Sequence, residues 1–211
     1  ELETVELLLT HPDFAVTAVR VSPTTPESSN LTLIINRGWR VNGVVLDTNG
    51  LPISNATVRE AYNFGGYRKE STQTAVDGTY SLNSLVRREA KIVVQAEGYA
   101  PLLKEVDPVE DSARVNFRLE RGRLFQGRVV NESGNPLADA AVLTDTDNQG
   151  LRKVEWETRT DQQGRFKWES APAEPLLFWF ESIGFLPKRN IKLEADGSDH
   201  IVTLNRRTVK I

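Results

Sequence analysis

The feature that most constrains this chain is a short junction that occurs three times. Residues 119–130 read LERGRLFQGRVV, residues 35–46 read INRGWRVNGVVL, and residues 204–211 read LNRRTVKI. At each copy an apolar run ends, Arg follows with Gly or a second Arg, and another apolar run begins almost at once. A junction that recurs implies a unit that recurs.

Placing the two complete junctions over each other sets Gly43 on Gly127, 84 residues apart, and the same offset carries Val45 to Val129, Pro52 to Pro136, Ala56 to Ala140 and Val58 to Val142. Beyond these the offset becomes 86, taking Thr74 to Thr160, Gly78 to Gly164, Tyr80 to Phe166, Gly98 to Gly184, Tyr99 to Phe185 and Pro101 to Pro187. Two residues are therefore inserted between Val142 and Thr160, in a hairpin loop. Residues 1–37 match the back half of the unit, so the expected organisation is half a unit over 1–37, complete units over 38–121 and 122–206, and the start of a further one over 207–211. The absence of Met, including at position 1, leads to the expectation of a mature form or an excised piece of a longer chain.

Within each unit the apolar pattern has period 2, as half-buried strands require. Val41, Gly43 and Val45 share a face, as do Ala56 and Val58, Tyr80 and Leu82, Ile92 and Val94, and Val115, Phe117 and Leu119. The second unit answers with Phe125 and Val129, Ala140 and Val142, Phe166 and Trp168, Phe178 and Phe180, and Val202 and Leu204. Turn residues separate these runs. About seven short strands per unit, with no amphipathic helix, predict all-β tandem seven-stranded Greek-key sandwiches, transthyretin-like or immunoglobulin-like. Gly98 and Gly184 are expected at positive φ, with Asp13 in the same role, and Pro101 and Pro187 are expected at an edge strand. Leu8, Val93 and Trp179 fall on the outer face, where a neighbouring unit is the expected cover. The strands expected over residues 4–10 and 31–36 of the half unit need a partner to hide their apolar face.

Composition excludes several roles. Lys plus Arg is 26 against Asp plus Glu at 29, a net charge of −3 with the signs interspersed, which argues against nucleic acid as a partner. The apolar runs are too short to insert in a bilayer. With no Cys, there are no disulfides, thiolate nucleophiles or Cys-based zinc sites.

The series G-x-V-x-(D/N)-x-x-G-x-P, A-x-V, T-x-x-x-G-x-(Y/F), then an apolar strand and G-(Y/F)-x-P, runs from Gly43 to Pro101 and again from Gly127 to Pro187. It resembles the carboxypeptidase regulatory-like family, whose fold is the transthyretin-like seven-stranded sandwich. The resemblance implies a module of secreted and cell-envelope proteins, commonly bacterial, without chemistry of its own and flanked by other domains of a larger chain. Transthyretin-like hydroxyisourate hydrolases carry a Tyr-Arg-Gly-Ser tail that this chain lacks. The Lys–Asn cross-link of collagen-adhesin B-type domains is not expected, because the opening strands of both units contain no Lys.

No nucleophile, metal or phosphate-binding motif is present, and neither catalytic residues nor a cofactor are predicted. The two histidines, His11 and His200, do not repeat between units and read as strand-end residues. Residues 145–150, DTDNQG, place oxygen ligands at alternate positions, but Trp156 stands where a calcium loop needs its bidentate Glu, so an acidic hairpin tip is expected. Tyr62, Phe64 and Tyr67 surround Gly65-Gly66 beside Arg68 and Lys69, and form the candidate ligand contact, for a sugar ring or a protein. The expected function is a non-enzymatic spacer and presentation segment of a secreted, extracellular or periplasmic protein. The competing readings are an accessory or regulatory domain of a larger peptidase or hydrolase, and a carbohydrate-binding module.

Overall fold

The computed structural model describes residues 4–21, 32–61, 71–146 and 153–207. The secondary structure is all β. A hairpin, β1 (Val5–His11) and β2 (Phe14–Val21), precedes two sandwiches. The first contains β3 (Trp39–Asp47), β4 (Thr57–Glu60), β5 (Ser71–Gln73), β6 (Thr79–Leu85), β7 (Ala90–Gln95), β8 (Leu102–Val106), β9 (Ser112–Arg114) and β10 (Phe117–Leu119). The second contains β11 (Arg123–Asn131), β12 (Ala141–Thr144), β13 (Glu157–Arg159), β14 (Arg165–Ala171), β15 (Leu176–Glu181), β16 (Lys188–Leu193) and β17 (Asp199–Leu204).

The topology is the same in both. One sheet has the order β5-β4-β7-β8, or β13-β12-β15-β16. In the other, the opening strand lies in the middle, antiparallel to β6 or β14 on one side and parallel to the closing strand on the other. Each sandwich therefore has seven strand positions, the last of which is split into β9 and β10 in the first sandwich. Every inward residue predicted from the period-2 pattern is buried, except Val115, which is partly buried against the same core.

The split last strand has an identifiable cause. Gly43 faces Tyr80 across the β3–β6 ladder, and a Cβ on Gly43 would stand 1.9 Å from the Val115 carbonyl oxygen. The Tyr80 hydroxyl donates to that carbonyl at 2.8 Å, and Val44 N donates to the Asn116 side chain at 3.2 Å, so the ladder is interrupted between β9 and β10 without a change of register. The second sandwich has Phe166 opposite Gly127, with no hydroxyl to offer, and its closing strand β17 runs unbroken. In both sandwiches the aromatic lies across a strand glycine where the neighbouring backbone approaches closely.

The framework threonines act as internal staples. Thr74 Oγ1 donates to Ile53 O at 2.7 Å and accepts from Ala56 N at 2.9 Å. Thr160 Oγ1 repeats this with Leu137 O at 2.6 Å and Ala140 N at 2.9 Å. Both are buried, so the side chain supplies what water does elsewhere.

Several expectations are corrected. Gly98 and Gly184 have φ of 77° and 84°, but Asp13 does not share the positive φ, which among described non-glycine residues is adopted by Asn55, Asp139 and Asn190. Pro101 and Pro187 do precede the edge strands β8 and β16. Residues 32–36 form no strand; β1 pairs with β2, and among the described residues the later segment meets this hairpin through the Ala15 N to Asn36 O bond, a bridge between Phe14 and Arg37 and the Gly38 N to Asp13 O bond. A run of apolar residues becomes a strand only where a ladder receives it. Val5, Leu8 and Ile34 accordingly remain exposed, at 52%, 42% and 81%.

In the two complete units the outer face is covered from within, not by a neighbour, whereas Leu8 of the half unit stays exposed. Val93 is buried with Ala61 and Leu103, and the Arg189 guanidinium lies 4.4 Å from the centre of the Trp179 ring. Arg189 is held by Asp145, whose side chain is almost fully buried; the two share contacts of 2.6 and 3.2 Å, and Asp145 also accepts from Thr146 N and Asn190 N. Asp145 is thus the root of the hairpin rather than part of an acidic tip.

Two outcomes are expected. Thr160→Val leaves the buried Ala140 N and the part-buried Leu137 O without their side-chain partner and lowers stability by about 2 kcal/mol; a urea midpoint that does not move would contradict the staple. The hydrogen bond from Arg189 holds the Asp145 carboxyl below its ordinary 3.8, against the opposing effect of burial. Its stabilisation is present above that value and lost as pH falls below it. Asp145→Asn should therefore flatten the acid limb of a stability-versus-pH curve below about pH 4, and an unchanged limb would count against the clamp.

Candidate inter-unit interface

The three junctions fold into the same clasp. In each, an Arg bridges to the aromatic that closes the preceding G-(Y/F) or Asp-Phe element: Arg37 to Phe14, Arg121 to Tyr99, Arg206 to Phe185. Two backbone bonds fix every copy. The residue after the aromatic donates to the residue before the Arg: Ala15 N to Asn36 O at 3.0 Å, Ala100 N to Glu120 O at 2.9 Å, Leu186 N to Asn205 O at 2.8 Å. The residue after the Arg donates back: Gly38 N to Asp13 O at 3.0 Å, Gly122 N to Gly98 O at 3.1 Å, Arg207 N to Gly184 O at 2.9 Å. In the second copy the Arg121 guanidinium also lies 4.5 Å from the centre of the Tyr99 ring. The recurring positions in the junction and after the turn thus meet through one backbone bridge.

Glycine follows the Arg in the first two clasps for a steric reason. A Cβ at Gly38 would fall 2.4 Å from Ser84 Cα, and one at Gly122 would fall 2.3 Å from Ser170 Cα. The junction backbone therefore lies directly on β6 or β14 of the following sandwich, and the linker has no slack.

Side chains then tie the two sandwiches to each other. Gly98 N donates to Ser170 Oγ at 2.7 Å. The Gln95 amide behaves as a peptide group: its Nε2 donates to Glu155 O at 2.9 Å, while its Oε1 accepts from Glu155 N at 3.0 Å. Arg59, 4% exposed, donates to Gln95 Oε1 at 3.2 Å and lies 3.7 Å from the Glu155 carboxylate. Glu155 belongs to the β12–β13 hairpin, the one lengthened by two residues relative to the first unit. Sequence reasoning missed this contact. Its only signal was a difference between copies, because Arg59 and Gln95 correspond to Leu143 and Glu181.

The predicted ligand contact, Tyr62, Phe64 and Tyr67, lies outside the described residues, as do Asp147 and Asn148 of the acidic hairpin. His11 is exposed at the end of β1, its Nδ1 accepting from Asp13 N at 3.1 Å. His200 faces Phe125 and contacts Glu194 O through Nε2 at 2.9 Å. The structure does not bring the two together. Of the tryptophans, Trp39 and Trp168 are core residues, Trp156 stacks on Trp168 at 4.8 Å, and Trp179 lies beneath Arg189. Among the described residues there is no cluster of three metal-ligating side chains, and no helix long and apolar enough to cross a membrane.

Among curated proteins, none matches this chain. Of solved structures, a Streptococcal ancillary pilin is similar at 14% identity, over 97% of this chain and 74% of that one, with a TM-score of 0.36. The shaft pilin SpaA of Lactobacillus rhamnosus GG is similar at 12% identity, over 82% and 99%, also with a TM-score of 0.36. Hydroxyquinol 1,2-dioxygenase of Pseudomonas putida DLL-E4 is similar at 14% identity, over 41% and 58%, with a TM-score of 0.32. At these values none of the three carries a functional reading to this chain. The model of the carboxypeptidase regulatory-like domain matches twice, at residues 40–120 and 125–205, and these matches take up most of the sequence. The chain therefore belongs to the carboxypeptidase regulatory-like domain family.

Proposed function

We propose that this chain is a non-enzymatic spacer and presentation segment of a secreted or cell-envelope protein, built from units over 38–121 and 122–206. The observation that carries the reading is the reciprocal Gln95–Glu155 pairing beside the second clasp. A passive tether between independent sandwiches needs neither; a segment that must hold its parts at a fixed angle needs both. Each backbone and side-chain bond across the joint removes orientations that a flexible linker would sample. Family membership supports the absence of catalysis, because the motifs that define the match here are turn glycines, buried threonines and core aromatics. An extracellular or periplasmic location and flanking domains of the same chain are part of this reading.

A glycan or protein contact through Tyr62, Phe64 and Tyr67 is a second proposal, carried by three aromatics around Gly65-Gly66 in the β4–β5 connection. Aromatic faces in such a loop offer a large contact area at small entropic cost.

Residual dipolar couplings test the spacer directly. In the unaltered protein both sandwiches should report one common alignment tensor, and Gln95→Ala combined with Ser170→Ala should split it while each sandwich keeps its own chemical-shift pattern. Two different tensors before any substitution would refute a fixed joint. For the aromatic loop, a glycan array should show binding that falls at least about tenfold in Tyr62→Ala or Phe64→Ala, the order expected for an aromatic anchor. No binding by the unaltered protein removes the glycan proposal.

A further inference from the structure

The face of the first sandwich that the second one covers has a twin. On the first sandwich it is a cleft containing Asn55, Gln95, Tyr99 and Pro101, closed on the far side by Trp168 and Ser170 of the second. On the second sandwich a cleft is formed by Asp139, Glu181, Phe185 and Pro187, the same four positions by the repeat offsets. The backbone agrees: Asn55 and Asp139 both have φ of 56°. The difference is occupancy. Pro101 is buried and Gly98 half-buried, whereas Pro187 and Gly184 are exposed. Gly98 N donates to Ser170 Oγ, whereas Gly184 N has no acceptor among the described residues. Ile183, in the place of Glu97, stands 98% exposed on the rim. The third clasp is nevertheless fully formed beside this face, with Leu186 N and Arg207 N both bonded as in the first two.

We propose that this face of the second sandwich is a docking surface for a further sandwich unit of the same family, carried on the same polypeptide after the third clasp. The inference rests on the reading of clasp plus covering corner as the contact between successive units. A second copy of this chain does not supply the occupant. The corner that does the covering, around Trp168 and Ser170, is already engaged on the first sandwich; its counterpart around Ser84 lies under Gly38 and β2. Two substitutions define what the incoming unit must offer. Glu181 stands where Gln95 is, and a carboxylate accepts hydrogen bonds but donates none, so it can take a facing backbone N–H as Gln95 does but offers nothing to the carbonyl, and a basic side chain at the facing position supplies a charge-assisted contact in its place. Arg207 stands where Gly38 and Gly122 allow closest approach, so the incoming strand is seated further from the junction, over the rim that carries Ile183.

The test adds a second copy of residues 123–206 after Arg207, with the added copy carrying Glu155→Lys to face Glu181. Docking should slow hydrogen exchange of the Gly184 amide at least about tenfold relative to the 211-residue protein, and should give the added unit the alignment tensor of the second sandwich. Glu181→Lys in the extended chain should abolish both effects. An unchanged Gly184 exchange rate overturns the proposal. So does a concentration-dependent dimer of the 211-residue protein that Glu181→Lys dissociates, since the occupant would then be a second copy. If the first two sandwiches share a tensor while the added unit tumbles freely, only the docking face fails; if they do not, the spacer reading fails first.

Discussion

The clasp depends on a backbone geometry that no side chain determines alone: a turn ahead of an aromatic, made with glycine in the second and third copies and with Asp13 in the first, facing a junction residue that returns its N–H to the turn. Gly98 at φ 77° and Gly184 at φ 84° point the carbonyls at Gly122 N and Arg207 N. An L-residue with a side chain adopts such a φ at a cost, which is why glycine recurs there. With these two bonds in place, the exit of one sandwich is the entrance of the next, and the Gln95 and Ser170 contacts hold the two sandwiches against each other.

The period-2 pattern was enough to identify the core, because inward positions on a strand are set by the pleat and by nothing more distant. Phe125, Phe166, Phe178 and Phe180 were legible as one face in the sequence and pack as one aromatic cluster. The pattern failed where a strand needed a partner. Residues 32–36 have the right alternation, yet no ladder receives them, and they stay outside any strand. Asp13 shows a related failure: alignment put it where two glycines turn with positive φ, but the first clasp closes without that conformation.

The joint between sandwiches was illegible for a different reason. Gln95 and Glu155 are separated by 60 residues and by a change of unit, and nothing local marks a glutamine that will act as a peptide group. Comparing the two copies position by position would have flagged Arg59 and Gln95 as departures from Leu143 and Glu181. In a tandem repeat the shared residues describe the unit, while the differences between copies point to how the units touch. Asp145 adds a caution. The sequence placed it in an acidic hairpin tip, and the structure uses its carboxylate to hold Arg189 over Trp179.

The parallel pairing of opening and closing strands has a mechanical consequence. In each sandwich the chain enters at the start of β3 or β11 and leaves at the end of β10 or β17, and these strands lie side by side pointing the same way. Tension applied along the polypeptide therefore pulls two neighbouring strands past each other along their length. From Gln126–Asp199 to Asn131–Leu204, the registered pairs of β11 and β17 resist together instead of opening one at a time from an end. The arrangement loads each sandwich in shear, the direction in which a ladder of evenly spaced bonds yields as a group.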